Sequence, residues 1–228
     1  MKRRIIHPIY REYFVREHRR ADYRHARAIL RHRPDILLNE MSSAPDGNPD
    51  LPINRFSPEK KPLQWVRLEQ RALARASKDF PYAKSDIKLW DNVMQLWREG
   101  HELFVFNIDG PKELRHEFFD VWNHCYPCAT KNWVWWVHIF LRERYMANNT
   151  EWAIRRYWRS KKRPVVFIQF GGFHWRHVKF LLTHPTKKEI WKYYFGKFER
   201  EVTPDTISSK LRRISPVLWK HWRRVADL

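Results

Sequence analysis

Between Arg163 and Pro185 the chain reads RPVVFIQFGGFHWRHVKFLLTHP. No other stretch constrains the fold as much. Two runs rich in β-branched and aromatic residues, Val165 to Phe170 and Phe173 to Leu182, flank the pair Gly171-Gly172. A two-residue glycine connection between strand-forming runs predicts a β-hairpin. Thr186 follows with Glu189 three residues on, and "TKKEIWKYYFGKF" then predicts a helix opened by a capping box.

The preceding residues extend this pattern. "ELFVFNI" (Glu102 to Ile108) predicts a strand. "PKELRHEFFDVWNH" predicts a helix with proline in its first turn and Leu114, Phe118, Val121 and Trp122 turned inward. "NWVWWVHIFLR" is aromatic and β-branched and predicts a strand, with a helix as the alternative for so short an apolar run. Asn148-Asn149-Thr150 would cap a further helix, "EWAIRRYWRSKKR". Residues 102–199 thus read strand, helix, strand, helix, strand, strand, helix. Upstream, two helices are expected, one over "LQWVRLEQRALARASKDF" and one over "SDIKLWDNVMQLWREG". The second carries an apolar stripe of Ile87, Trp90, Met94 and Trp97 and stops at Gly100.

The flanks differ in composition. Residues 1–33 carry eleven Lys/Arg against three acids, with helical spacing after Pro8. The segment is acid-free up to Glu12, as in a mitochondrial transit peptide, though it lacks Ser and Thr. Residues 39–62 hold five prolines and read as an extended linker. The tail from Thr203 holds helices interrupted near Pro216. The expected organisation is a basic arm and linker (1–62), a folded region (63–200) and a basic helical tail (201–228).

Charge narrows the function. The 228 residues carry 45 Lys/Arg and 25 Asp/Glu, a net +20, and 28 of the cations are Arg, the better fork for phosphate. That excess points to a polyanionic partner, nucleic acid or an anionic membrane surface. The candidate phosphate-binding residues are Lys2, Arg3, Arg4, Arg11, Arg16, Arg19 and Arg20 in the arm, Arg155, Arg156, Arg159, Lys161, Lys162 and Arg163 before the first hairpin strand, and Arg212, Arg213, Arg223 and Arg224 in the tail. Trp152, Tyr157, Trp158, Trp219 and Trp222 interleave with them. Such rings either stack on unpaired bases or form the buried stripes of their helices, and the stripe is the expectation.

Catalysis is not expected. Six glycines leave no Gly-rich phosphate cradle. The only cysteines, Cys125 and Cys128, form a Cys-x-x-Cys pair after the predicted helix. A redox pair belongs at a helix N-terminus, where the helix end lowers a thiol pKa. Structural zinc usually draws on a second pair, which is missing. Twelve scattered histidines make no His-Glu-x-x-His, and no Ser–His–Asp pattern is signalled. No metal and no cofactor are expected, and no apolar run is long enough to span a membrane.

In strand order and aromatic placement, "VMQLWREG", "KNWVWWVHIFLRER", the 163–182 unit and "TKKEIWKYYFGKF" resemble the thioredoxin-like domain of certain mitochondrial ribosomal proteins and of a small accessory subunit of respiratory complex I. The small-subunit ribosomal type is most similar, and the resemblance covers residues 90–199. It implies an α+β fold with a thioredoxin-like β-α-β-α-β-β-α core, between a helical N-terminal arm and a C-terminal helical tail. It also implies a non-catalytic structural component of the mitochondrial ribosome in the matrix, with rRNA and neighbouring ribosomal proteins as partners and no small-molecule substrate. The alternative is an accessory subunit of an inner-membrane complex, respiratory complex I or ATP synthase, whose arm meets anionic lipid.

Overall fold

The computed structural model describes residues 9–13, 23–39, 55–56, 63–79, 81, 83–111, 113–114, 116–117, 132–158, 163–169 and 172–226. Within these the chain is mixed α/β and mostly helical, with one small sheet. The strands are β1 (Ile9–Tyr13), β2 (Ile36–Asn39), β3 (Arg55–Phe56), β4 (Phe104–Asn107) and β5 (Val165–Gln169). The helices are α1 (Arg24–His32), α2 (Leu63–Ala76), α3 (Ala83–Arg98), α4 (Trp133–Trp158), α5 (Gly172–Leu182), α6 (Lys187–Phe195), α7 (Pro204–Ile214) and α8 (Pro216–Val225). The helix expected after Pro111 is seen at 113–114 and 116–117.

The sheet order is β1-β5-β2-β4-β3. β5, β2 and β4 form its parallel centre, β1 adds in parallel beside β5, and β3 runs antiparallel beside β4. Central strands of this kind are buried on both faces and read as unbroken apolar runs. Ile36-Leu37-Leu38 and Val166-Phe167-Ile168 are fully buried, as that requires.

The residues fall into two compact units. One comprises residues 1–108 and 150–175, the other 109–149 and 176–228. In the first, Leu37, Val105 and Phe167 of the sheet pack with Ala26 and Ile29 of α1 and Leu89, Trp90, Val93, Leu96 and Trp97 of α3. Two buried hydrogen bonds fix this layer. Asn92 Nδ2 donates to the Ala26 carbonyl at 2.6 Å, and Trp97 Nε1 donates to the Leu103 carbonyl at 2.8 Å. Gly100 ends α3 as expected, at φ +78°, with the Gly100 and His101 amides donating back to Trp97 and Leu96. In the second unit, Phe140 of α4 meets Tyr194 and Phe195 of α6 and Trp222 of α8, with ring centroids 5.0, 5.8 and 5.7 Å apart.

Several expectations hold: the strand at 104–107, helices α2 and α3, the strand at 165–169, the capping box on α6, and the break at Pro216, which is the first residue of α8. Others do not. "NWVWWVHIFLR" is helical and continues without a break to Trp158, so Asn148-Asn149-Thr150 lies inside α4 and caps nothing. Nearly every residue from Trp133 to Tyr145 is buried or half-buried, so the run has no exposed face to reveal a helical period. Instead Asn132 Oδ1 accepts the Val134 amide at 2.8 Å and opens the helix.

The glycine pair joins no hairpin. Gly172 begins α5, in which Trp175, Val178 and Leu181 are buried while Arg176 and Lys179 are exposed. Two of the four strands of the expected thioredoxin-like core are therefore helices. The region read as arm and linker also contributes to the sheet. Residues after Pro8 form β1 rather than a helix, β2 lies at the centre of the sheet, α1 packs on it, and Arg55–Phe56 pairs with β4.

Candidate functional site

The expected phosphate-binding residues fall into four groups. Lys2, Arg3, Arg4, Arg16, Arg19, Arg20, Arg159, Lys161 and Lys162 lie outside the described residues, as do Cys125 and Cys128. Arg11 is in β1, in register with Phe167. Arg155 and Arg156 are exposed near the end of α4, and Arg163 is exposed just before β5. Arg155 is paired with Glu151 four residues back. Arg212 and Arg213 end α7, while Arg223 and Arg224 end α8, and all four are exposed. The helix pair α7–α8 is where the structure brings expected residues together.

That pair is built by short-range chemistry. Ser215 is the single residue between the helices, and its Oγ accepts the Leu218 amide at 3.0 Å. Ile207, Leu211, Leu218 and Trp222 are buried, and Trp222 also meets Phe195 at 5.9 Å. The remaining faces carry charge. From Pro204 to Ala226 there are six cations, Lys210, Arg212, Arg213, Lys220, Arg223 and Arg224, and one acid, Asp205. All six cations are exposed. Lys220 Nζ is 3.4 Å from Glu113, an exposed pair of little net worth.

The two tryptophans of α8 differ sharply. Trp222 is 7% exposed and belongs to the core. Trp219 is only half-buried, with the Arg212 guanidinium 5.3 Å and the Arg223 guanidinium 5.1 Å from its ring centroid. The stripe expectation thus holds for Trp222, while Trp219 is only half-buried beneath the two arginines. Their spacing in sequence could not separate them, because both flank Lys220 and His221 on the same short helix. Trp152 is another exposed ring, edge-on to Phe106 at 6.0 Å.

Buried polar groups in the same unit serve its interior. Glu143, fully buried, accepts from Tyr194 Oη at 2.9 Å and lies 2.8 Å from His177 Nδ1. Burial, and then the Glu143 carboxylate, push the Tyr194 phenol well above its ordinary pKa. Burial pushes the His138 imidazole down to about 4, so it is neutral at pH 7. Burial also lowers His221, whose ring stands 2.9 Å from Tyr145 Oη. Among the described residues no group of three or more His, Cys, Asp or Glu is placed to hold a metal.

The first unit holds a second polar cluster that the sequence did not signal. Register places Asn39, Asn107 and Gln169 at one level, on the carboxyl ends of three adjacent parallel strands. Gln169 Nε2 donates to Asp86 Oδ1 at 2.8 Å, and His25 Nε2 is 3.1 Å from the same oxygen. Gln169 Oε1 is buried without a hydrogen-bond partner in the described structure. Open α/β sheets bind ligands at this edge. His25, Asp86 and Gln169 come from residues 61 and 83 positions apart, so no local motif announces them.

The chain matches no family model, no curated protein and no solved structure.

Proposed function

We propose that this chain is a non-catalytic RNA-binding protein of a ribonucleoprotein particle. The observation that carries the reading is the α7–α8 surface, where six exposed cations face solvent with a single acid among residues 204–226. Arginines in the last turns of two helices also complement the helix dipoles, which is worth about 0.3–1 kcal/mol each. That local role accounts for one or two of them. It does not account for a net charge of +20. Phosphate contacts use such charge to give affinity and position without reading sequence.

The mitochondrial ribosome, its small subunit above all, is the particle proposed. The acid-free Arg-rich start and the resemblance of residues 90–199 support it. Two of the resembling segments are helices where the thioredoxin-like core needs strands, so the RNA reading stands on the charge and not on that core. Neighbouring ribosomal proteins and the matrix follow from the same proposal. The rival is an accessory subunit of an inner-membrane complex touching anionic lipid. No helix of the described residues is long and apolar enough to cross a membrane.

A second reading rests on Gln169. Its oxygen, without a partner among the described residues, lies at the carboxyl edge of the sheet beside the Asp86–His25 pair and suits a small ligand that donates a hydrogen bond.

The test of the main reading is the salt dependence of RNA binding by the intact chain. A log–log slope of several counterions per bound single strand is the expected result. Affinity that ignores salt, or vesicles of anionic lipid binding in preference to RNA at equal ionic strength, overturns it.

A further inference from the structure

We infer that Arg212, Trp219 and Arg223 form a stacking position for one unpaired RNA base, an inference that rests on the RNA-binding reading above. Three structural features converge on it. Trp219 is half-buried, whereas Leu218 and Trp222 are buried. Two planar guanidinium groups approach that ring, one from the end of α7 and one from the next turn of α8, at 5.3 and 5.1 Å. Arg213, Lys220 and Arg224, next in sequence to Arg212, Trp219 and Arg223, are exposed.

The chemistry of the three groups divides the work. An indole face is the best stacking partner a side chain offers to a base, and every base has such a face. A guanidinium stacks on the free side of a base while its edge donates to a phosphate. Arg212 or Arg223 swings aside from the ring, the base enters, and the displaced guanidinium closes over it or takes the adjoining phosphate. The neighbouring charge then holds the backbone on either side. A duplex cannot use the position, because its bases are already stacked. The site is therefore selective for single strands and indifferent to sequence.

The bland role for the same contacts is a pair of cation–π interactions that tidy the end of α8. It predicts a small loss of stability on removing Trp219 and no change in the choice between single strand and duplex. The experiment uses the full chain, an unstructured labelled RNA 12-mer and a 12-base-pair RNA duplex, with binding followed by anisotropy. Trp219→Leu is expected to weaken the single strand about tenfold, to leave the duplex within twofold, and to leave the salt slope unchanged. Trp219→Phe is expected to restore most of the loss.

As a readout independent of variant folding, 4-thiouridine-substituted RNA is crosslinked to the wild-type chain and the adducts are mapped by mass spectrometry. The α8 peptide bearing Trp219 is expected among them. If Trp219→Leu leaves the single strand unchanged, or lowers both RNAs equally, or if no adduct maps to α8, the stacking position is overturned while RNA binding stands. If the wild-type chain binds neither RNA, both fall together.

Discussion

Arg142 grips Asp109 with a two-point fork. Its Nε lies 2.7 Å from Oδ1 and its Nη2 3.0 Å from Oδ2. The side chains are 8% and 1% exposed. Oδ1 also accepts the Gly110 amide at 2.7 Å, and Asn149 Nδ2 donates to the Asp109 carbonyl at 3.4 Å. The arrangement meets the main condition for a buried ion pair to be tolerated, that the charges be paired and further hydrogen-bonded. Removing one partner strands the other in an apolar interior. Arg142→Ala should therefore cost about 3–5 kcal/mol in urea unfolding. Replacing both with apolar residues of similar volume should recover much of that.

His138 gives the fold an acid limit. Its folded pKa of about 4 lies below the ordinary 6.5, so the unfolded chain binds the proton more readily. Its contribution is complete above pH 6.5 and is lost as pH falls toward 4. The loss amounts to about 3 kcal/mol, spread over that window. His138→Phe should flatten the stability–pH curve between 6.5 and 4. A curve unchanged by the substitution would place the acid sensitivity elsewhere.

The capping box on α6 is the plainest stability test. The Thr186 hydroxyl accepts the Glu189 amide at 3.3 Å, and the Glu189 carboxylate accepts the Thr186 amide at 2.7 Å. The bond to Thr186 holds the Glu189 carboxyl below its ordinary pKa. Thr186→Ala should cost about 1 kcal/mol, read as a lower denaturant midpoint at constant m. RNA affinity should not change.

Neutralising the α7–α8 surface tests the proposed binding directly. Arg212, Arg213, Arg223 and Arg224 changed together to Gln should flatten the log–log salt slope for single-stranded RNA by about 3, at 0.7 per phosphate contact. Each arginine also complements a helix dipole, at about 0.3–1 kcal/mol, so the thermal midpoint should fall by several degrees while unfolding stays cooperative.

The sequence was legible where chemistry is local. Gly100 stops α3, Thr186 and Glu189 cap α6, and Pro216 starts α8, because each acts on neighbours within one turn. It misled where burial erases period. In "NWVWWVHIFLR" the β-branched and aromatic residues favour a strand, yet the run is surrounded by partners and packs as a helix. In α5 the signal was present and overridden. Trp175, Val178 and Leu181 recur at helical spacing, but Gly171-Gly172 invited a hairpin. Parallel pairing hid the rest. β2 meets β4 and β5 across separations of 68 and 130 residues, and a four-residue strand inside a basic segment gives no warning of its place at the centre of a sheet.

For the candidate site, the arginines of α7 and α8 were visible as charge. Only the geometry divided Trp219, beneath two guanidiniums, from Trp222 in the core. The His25–Asp86–Gln169 cluster needed the fold itself, since its members come from α1, α3 and β5.

The most direct test of the central claim is sedimentation of a lysate containing the native chain, in graded salt, with and without RNase. The chain is expected to travel with a large particle at low salt and to be released by RNase or high salt. A chain that sediments with a detergent-solubilised membrane complex and ignores RNase would contradict the account and reassign the same basic surface to lipid.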